Sequence, residues 1–442
     1  MDSGKPPSAF VINMEINGLG IARTLGRRGI PVFGVDHRSS LPAMRSKFVH
    51  PLICPDLLKQ PEAFMEALME AGEQQDEKPV LFPASDPAVL FLSRNRSKLE
   101  TRFEFILPSE KVVEAMVNKR LQYEEAKRLG IPMTETFYPR TMDDVEDGMR
   151  RLRFPAFIKP LYSHLWNPIF GNKGFVVKDA VELREKMRKV FESGQEVMVQ
   201  DIIWPPGKDL FNAGAYIGRG GYVSPIVTWH KTRQYPPNFG VGSLLTSCHQ
   251  PEVAELGMKF MNGLDYKGIA SVGFKRDERD GRWKLIELNA RTWMGHEVSD
   301  GAGMPLVYLQ YLDLTGQPKP ELKDFRDGVR WWDGLMDVDS FWRLHRRGEL
   351  TASQWIRSWL GSDICSHYAR DDPIPVLRRY AYGVKLVKLF VDLLRMRADE
   401  DDVMVQLKGF DAGASRSVPL SPSDVDRDKK EPVETLDMLA SK

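Results

Sequence analysis

Cysteine is scarce in this chain. Its 442 residues include three cysteines, Cys54, Cys248 and Cys365, which lie far apart and show no C-x-x-C spacing. An odd, scattered set of this kind argues against a disulfide framework and against a cysteine-based zinc site. It is typical of proteins from reducing compartments, and we expect a cytoplasmic protein.

Long hydrophobic runs are lacking as well. No stretch approaches 18 consecutive apolar residues, and the first apolar segment, residues 9–14, has only the length of a strand. Residues 1–7 contain no apolar signal core. We therefore expect neither a secretory leader nor an integral membrane segment.

The chain has no excess of charge of either sign. It carries 62 Lys and Arg against 61 Asp and Glu, a net charge of +1, which gives no reason to propose a nucleic-acid partner. Hydrophobic residues make up 42% and charged residues 28%, as in ordinary globular proteins. A chain of this length is too long for one core and is expected to form two or three domains.

The first forty residues have the pattern of a parallel α/β domain. An apolar strand over 8–16 is followed by a glycine turn at 17–20, a helix over 21–28 and a second strand over 32–36. A dinucleotide fingerprint would need a third glycine where the chain has Arg23, so the turn does not indicate NAD binding.

The middle of the chain alternates helical and extended patterns. Residues 109–130 are predicted as one long helix, with Ser109 as its N-cap and Gly130 just past its end. A short strand then ends at Lys159, and a looser glycine-containing segment follows at 162–173. Strands and hairpins are expected to dominate from 197 to 247.

The composition changes after residue 325. Tryptophan-rich helical stretches predict a helical appendage over 326–410, which includes an amphipathic helix at 376–396 with a basic face. Docking of that helix on the main body is favoured over a membrane-surface role. The Ser-, Asp- and Lys-rich segment 411–442 is predicted to be a disordered tail.

The most informative pattern is a predicted β-hairpin that starts at Gly273. Its second strand carries Glu287, Asn289 and Arg291 at every second position, so the three side chains point to one face. A carboxylate and an amide oxygen are ligands suited to Mg²⁺, and a guanidinium beside them can bind phosphate oxygens. The alternative is a solvated hairpin face with an incidental ion pair.

Further candidates precede this hairpin. Lys159 ends a strand directly before a glycine-containing loop, a position from which an ammonium group can reach phosphate oxygens. The apolar strand at 199–203 could face a flat heterocycle, and Asp209 could bond ribose hydroxyls. The segment 230–243 places Lys231 and Arg233 before a Pro-Pro turn and a Gly-x-Gly-Ser run, which suits a mobile anion-binding loop.

The order of these segments along the chain resembles that in the ATP-grasp superfamily of carboxylate–amine ligases. The resemblance rests on Lys159, the strand 199–203, and the Glu287-Leu-Asn289-Ala-Arg291 strand. Within the superfamily, the run Lys-Thr-Arg-Gln-Tyr-Pro-Pro-Asn-Phe-Gly-Val-Gly-Ser at 231–243 is similar to the D-aspartate ligase-like branch, as is Lys159-Pro-Leu-Tyr-Ser-His-Leu-Trp. The resemblance spans residues 8–380.

The resemblance implies an α/β (α+β) protein with the ATP-grasp fold. Expected are an N-terminal α/β pre-ATP-grasp domain over 1–108 and an ATP-grasp domain over 109–325, followed by the helical appendage. Within the second domain, a lid would occupy about 130–200 and an antiparallel ATP- and Mg²⁺-binding subdomain about 200–325. The resemblance also suggests a homodimer.

The implied reaction joins a carboxylate to an amine, one of them an amino acid, at the expense of ATP and through an acyl phosphate. ATP and Mg²⁺ are the expected cosubstrate and cofactor. The residues that the resemblance assigns to these tasks are Lys119 and Lys159 at the ATP phosphates, Gln200, Asp201 and Ile203 at adenine, Asp209 at the ribose, Lys231, Arg233 and Arg291 at the reacting groups, and Glu287 and Asn289 at the metal.

One position departs from the family pattern. Gly273 stands where members of the superfamily usually carry an acidic partner of Glu287, so one of two metal ions could be absent or weakly held. Asp277 and Asp280 lie in the hairpin turn and are not expected to replace it. Two hypotheses follow: an active ligase, or a nucleotide-binding relic that has lost catalysis and acts as a binding or regulatory partner.

Overall fold

The computed structural model describes residues 5–381, which form three β-sheets surrounded by helices. The first sheet is parallel, with the strand order β3-β2-β1-β4. Its elements are β1 (Ala9–Ile12), α1 (Ile16–Gly26), β2 (Val32–Asp36), β3 (His50–Ile53), α2 (Pro61–Glu73), β4 (Val80–Pro83), α3 (Asp86–Arg94) and α4 (Arg96–Leu99).

Alternating side chains of β1 enter two different cores. Ala9 and Val11 belong to one hydrophobic cluster, and Phe10 and Ile12 belong to another. All four are buried because helices or neighbouring parts of the chain cover both faces of a parallel sheet. The predicted parallel α/β opening of the chain is confirmed.

The predicted single helix over 109–130 is wrong, because two helices occupy this segment: α5 (Glu110–Val117) and α6 (Lys119–Arg128). Asn118 separates them with an extended backbone, and its side chain accepts hydrogen bonds from the amides of Arg120 and Leu121. An asparagine side chain that caps a following helix competes with helix continuation, which apolar periodicity does not reveal. Ser109 caps α5 as predicted.

The second sheet is antiparallel, with the order β5-β8-β6-β7. The predicted looser segment at 162–173 is largely helical, because Trp166 packs in the core beside Phe170 one turn away. The elements of this region are β5 (Thr136–Phe137), α7 (Met142–Met149), β6 (Ala156–Pro160), α8 (Ser163–Phe170), β7 (Phe175–Val177), α9 (Ala180–Glu192) and β8 (Val197–Asp201).

The third sheet has seven strands in the order β13-β12-β9-β10-β11-β14-β15. Its elements are β9 (Leu210–Ile217), β10 (Val227–Tyr235), β11 (Val241–Ser247), α10 (Pro251–Gly263), β12 (Gly268–Arg276), β13 (Trp283–Asn289), α11 (Glu297–Gly301), α12 (Leu306–Leu314), β14 (Arg330–Trp332), α13 (Gly334–Arg346), α14 (Ala352–Trp359), β15 (Ile364–Cys365) and α15 (Ile374–Ala381).

The predicted β-hairpin at the centre of the sequence pattern is confirmed as β12 and β13. By contrast, the predicted mobile loop at 230–243 is wrong. Most of it belongs to the antiparallel pair β10 and β11, which is fixed on both sides by β9 and β14. The strands agree with the predicted dominance of strands and hairpins from 197 to 247, and a register shift near Lys231 interrupts their regular pairing.

The chain after residue 325 contributes two short strands to the third sheet in addition to helices α13, α14 and α15. The boundaries of the domains remain predictions. Of the predicted amphipathic helix at 376–396, only the part up to residue 381 coincides with α15. Its remainder, the rest of the appendage to 410 and the predicted tail at 411–442 lie outside the described residues. Over residues 5–381, no helix is both long and apolar enough to cross a membrane.

A buried ion pair ties the end of the described chain to its beginning. The Arg23 guanidinium on α1 lies 3.0 Å from the Asp372 carboxylate, and both side chains are only 1% exposed. Asp372 also accepts hydrogen bonds from Ser46 and from the amide of Lys47. Next to it, Asp371 pairs with Arg27 at the surface, with both side chains about 40% exposed.

These neighbouring aspartates allow a matched test of stability. We expect Asp372→Ala to lower the free energy of unfolding by about 3–5 kcal/mol, because Arg23 would remain buried without its counter-ion. Asp371→Ala should cost less than about 1 kcal/mol, since water screens the exposed pair. Thermal unfolding followed by circular dichroism measures both effects. Equal shifts of the two variants would contradict a structural role of the buried pair.

Candidate active site

A single face of the third sheet forms the floor of a cavity of about 760 Å³. The backbone register places Trp229 opposite Asn212, Asn212 opposite Gly273, and Gly273 opposite Glu287, so these residues form one row across β10, β9, β12 and β13. Three of the four line the cavity with their side chains. We call this set the Asn212 row.

Residues two positions along each strand share this face because strand side chains alternate. Lys231 follows Trp229 in this way, Lys275 follows Gly273, and Asn289 follows Glu287, and all three line the cavity. The alternation predicted for Glu287 and Asn289 therefore holds, and it extends over several strands.

The opposite wall comes from the second sheet and from α6. Lys159 near the end of β6 reaches across the cavity, and its ammonium group donates to the carbonyl oxygen of Ile286 at 2.9 Å. Lys119, the first residue of α6, is buried at the same cavity, where the break at Asn118 places it. Lys173, from the connection between α8 and β7, is a further lining lysine that the sequence reasoning missed.

Glu287 is the anion among these lysines. Burial acts most strongly and opposes its charge, but Lys231, Lys159, Lys119 and Lys173 together lower the pKa of Glu287 to about 2. The carboxylate is therefore ionised at every physiological pH. It is ready to accept a cation or to hold a lysine in place.

Burial raises the pKa of a carboxylate but lowers the pKa of a lysine, because it disfavours the charged form of each. It lowers the pKa of Lys159 to about 7 and that of Lys173 to about 8, although Glu287 opposes both shifts. Desolvation also lowers the pKa values of Lys119 and Lys231. Glu287 and Asp86, which acts on Lys119, do not balance so many ammonium groups, and the cavity consequently favours a polyanionic ligand.

Arg291 lies at the junction of the third sheet with the first. Its Nε donates to the Asp86 carboxylate at 2.6 Å, and its Nη1 donates to the carbonyl oxygen of Thr292. Asp86 begins α3 directly after β4, at the carboxyl end of the parallel sheet, and it lines the cavity. The sequence analysis missed Asp86. Its position directly after a predicted parallel strand was a usable signal, since ligands commonly bind outside the carboxyl ends of such strands.

The predicted heterocycle-binding strand borders the cavity as well. Gln200, Asp201 and Ile203 all line it, at the end of β8 and just beyond. The Asp201 carboxylate accepts from the amide of Arg153 at 2.8 Å, so one of its oxygens has a structural task. The side-chain oxygen of Gln200 is buried and has no hydrogen-bond partner among the described residues, so it can accept a hydrogen bond from a ligand.

Two predicted site residues are not brought into the cavity. Arg233 is buried on the other side of β10, where its guanidinium forms two 2.8 Å hydrogen bonds with Asp337 on α13. The register shift after Lys231 separates these two cations, which sequence spacing placed together. Asp209 is not among the described residues that line the cavity. Lys275 is close enough to Asp209 to feel its charge, but its ammonium group donates hydrogen bonds to the carbonyl oxygens of Pro205 and Lys208.

The donor set for a metal ion is small. Within residues 5–381, no group of three or more His, Cys, Asp or Glu side chains could hold a metal ion. Asp277 is paired with Arg279 and Lys284, and Asp280 with Lys284, as expected from their place in the turn. Glu287 and Asn289 remain as neighbouring oxygen donors, and they fit Mg²⁺ because this ion usually takes one or two carboxylates together with substrate phosphates and water.

Comparison with known proteins supports the ATP-grasp fold. No protein-family model matches the chain. The chain is 23% identical over 297 residues to the D-aspartate ligase of Enterococcus faecium (strain Aus0004). The aligned region covers 64% of this chain and 70% of that protein. The fold is also similar to solved structures.

The first is the biotin carboxylase domain of a Hydrogenobacter thermophilus 2-oxoglutarate carboxylase in complex with MgADP. It has a TM-score of 0.60 at 17% identity, over 74% of each chain. The second is the L-amino acid ligase from Bacillus licheniformis, with a TM-score of 0.56 at 18% identity, over 74% of this chain and 79% of that one. Together with the sequence match, they confirm the resemblance to ATP-grasp carboxylate–amine ligases and the α/β fold class.

The lowered lysine pKa values predict a pH dependence of anion binding. Because Lys159 and Lys173 lose their protons between about pH 7 and 9, affinity for a polyphosphate should fall as the pH rises. The decrease can reach about tenfold per pH unit for each proton taken up on binding. Titration calorimetry with ADP from pH 7 to 9 measures this decrease.

The matched control is a lysine outside the cavity. Lys159→Met should flatten the pH dependence, whereas Lys189→Met should leave it unchanged, since Lys189 is an exposed lysine paired with Glu185 on α9. Identical slopes in the wild type and in Lys159→Met would show that Lys159 does not titrate in this range.

Proposed function

We propose that this protein is an ATP-dependent ligase that joins a carboxylate to an amine and forms a C–N bond. The observation that supports this most directly is the meeting of three groups in one cavity. Lys119, Lys159 and Lys231 provide positive charge, and Glu287 with Asn289 provides oxygen donors. Arg291 lies at the border with the first sheet.

The cations have a defined task in this proposal. ATP brings several negative charges into the site, which restores the full charge of lysines whose pKa values are lowered in its absence. Lys119, Lys159 and Lys231 then neutralise the phosphate oxygens and hold the γ-phosphate in position, which supplies most of the rate in phosphoryl transfer. Glu287 and Asn289 would hold Mg²⁺, which would supply a Lewis acid for the phosphoryl transfer.

The reaction consists of two transfers. An oxygen of the substrate carboxylate attacks the γ-phosphorus, the bond to the bridging oxygen breaks, and ADP leaves with the bonding electrons. The nitrogen of the uncharged amine then attacks the acyl carbon of the acyl phosphate. Inorganic phosphate leaves, and the nitrogen loses one proton. In this proposal Arg291 stabilises negative charge at the acyl group, and Asp86, which accepts a hydrogen bond from its guanidinium, holds it in orientation.

One wall of the cavity is apolar and suggests which kind of substrate side chain binds there. Trp229 and Trp293 stack with ring centroids 4.4 Å apart and an angle of 6° between the rings. Leu245 on β11 continues this apolar wall next to Lys231. We expect one of the two substrates to carry an apolar or aromatic group that packs here, because such a wall gains free energy by excluding water from apolar surface.

The second candidate function is a nucleotide-binding relic. Gly273 favours it, because the position lacks the carboxylate expected beside Glu287. The ionised Glu287 and the surrounding lysines favour the enzyme, since a relic has no need to retain cations for a γ-phosphate.

ADP release separates the two candidates. We expect the purified protein with Mg²⁺-ATP to release ADP when supplied with pooled amino acids and small carboxylic acids, and Lys159→Ala to lose this activity by at least about a hundredfold because one phosphate contact of the transition state is removed. Lys189→Ala is the control that should retain full turnover. ADP binding without turnover for any pool would favour the relic, and absence of nucleotide binding would contradict both functions.

Splitting the pools by side chain tests the apolar wall. Pools of Leu, Ile, Met, Phe and Trp, in L and D forms, should support more turnover than pools of Asp, Glu, Lys and Arg. Trp293→Ala should raise the KM for the active substrate by about tenfold or more, because an aromatic side chain contributes well over 1 kcal/mol of contact. Its KM for ATP should change little. A preference for acidic amino acids would contradict this part of the proposal.

A further inference from the structure

Asn212 is a cavity residue to which the sequence motifs assign no task. It lies on β9 in the middle of the Asn212 row, two strands from Glu287. Its side chain is 3% exposed, and it lines the cavity. Its side-chain nitrogen is buried and has no hydrogen-bond partner among the described residues.

We propose that Asn212 is a nucleotide-binding residue, whose side-chain amide donates to a phosphate oxygen, and that Gly273 is a glycine because the Asn212 side chain occupies the space above it. This inference rests on the proposed function, since it assumes that a nucleotide enters the cavity. It gives the departure at Gly273 a physical cause instead of treating it as the loss of a ligand.

The space above Gly273 supports the steric half of the proposal. A Cβ atom built on Gly273 would lie 2.9 Å from the side-chain oxygen of Asn212, closer than real Cβ atoms come to such a neighbour. The next nearest atom, the carbonyl oxygen of Glu287, is 3.7 Å away, which is an ordinary contact. Asn212 is therefore the neighbour that limits this position. A side chain at 273 would have to move the Asn212 amide, and because that amide is the end of a side chain, the effect is on the position of Asn212 more than on folding.

The unpartnered amide supports the binding half. A buried N–H group without an acceptor costs free energy, so such groups in folded proteins are generally paired with protein, water or ligand. The lysines that share this sheet face, Lys231 and Lys275, lie two positions from members of the Asn212 row. An acceptor that satisfies the amide in this surrounding is anionic, and a phosphate oxygen fits because it accepts from several donors at once.

The proposal implies a metal site with one carboxylate. Where a second carboxylate at 273 would bring negative charge next to Glu287, this chain places an uncharged donor that reaches over the glycine from β9. The phosphates would then be held more by protein donors and less by a second metal ion. Nucleotide binding without Mg²⁺ should accordingly be measurable.

A double-mutant cycle of Asn212→Ala and Gly273→Ala tests both halves. The measurement is the Kd of ADP by titration calorimetry, with Mg²⁺ and again with EDTA. We expect Asn212→Ala to weaken binding about tenfold in both conditions, as for loss of a hydrogen bond to a charged group. Gly273→Ala should weaken binding similarly in the wild-type background, because it displaces Asn212, and by less than about twofold when Asn212 is already alanine.

Two further variants separate the proposal from general effects on the sheet. Gly257→Ala on α10 would place a Cβ 2.8 Å from the Cβ of Ala213, so it crowds β9 at the next residue, away from the cavity. It controls for strain and should leave the Kd unchanged. Asn212→Asp keeps the shape but removes the donor, and it should bind ADP more weakly than Asn212→Ala in EDTA and recover in part with Mg²⁺.

The outcomes are distinct. An unchanged Kd in Asn212→Ala, or an Asp variant that binds like the wild type in EDTA, would overturn the role of the amide. Equal, additive losses from Gly273→Ala in both backgrounds would overturn the steric link. If the wild type binds no ADP, the proposed function fails and this inference with it. A similar loss of binding in the Gly257→Ala control would attribute the effects of the other variants to strain and overturn the proposal. Melting temperatures of all variants exclude unfolding as the cause.

Discussion

The charge balance around Glu287 is the interaction on which the arrangement of the cavity depends. Lysines reach this carboxylate from the third sheet, from the second sheet, from α6 and from the connection after α8. Each of these ammonium groups loses hydration, and Glu287 together with Asp86 compensates only part of that cost. This imbalance makes the cavity suited to a polyanion, which connects the packing of separate parts of the fold to the proposed use of ATP.

The first sheet is connected to this centre through polar side chains at its carboxyl edge. Asp86 orients Arg291, and the side-chain amide of Asn17 donates to the carbonyl oxygens of Ala84 and Thr292. The contacts of Asp86 with Arg291 and of Asn17 with Thr292 join residues 205 and 275 positions apart in sequence, and they bring this end of the cavity to the border of two sheets. A carboxylate substrate and an amine would meet there, next to the apolar wall of Trp229 and Trp293.

Gly273 shows how one substitution in a motif depends on its neighbours across a sheet. Compared with the family pattern alone, the position lacks a metal ligand. In the structure, the side chain of Asn212 fills the volume that a ligand at 273 would need. The strand register decides this, because Asn212 and Gly273 are 61 positions apart but lie directly opposite each other.

Much of the secondary structure and the core of the site could be predicted from local patterns. The alternation of Glu287, Asn289 and Arg291 follows from strand geometry, and the strand that ends near Lys159 follows from its apolar run and prolines. Other predictions failed because of local interactions. Asn118 caps a new helix within an apolar period, and Trp166 and Phe170 lie in a helix where glycine indicated a looser segment.

Sequence by itself determined which side chains of a strand share a face, because the two-residue period belongs to the backbone of every strand. Tertiary structure alone decided which strands become neighbours, and therefore that Lys173, Lys275, Asp86 and Asn212 join the cavity while Arg233 turns to Asp337. Strand order and register arise from packing and hydrogen bonds between segments distant in the chain, so no local pattern contains them.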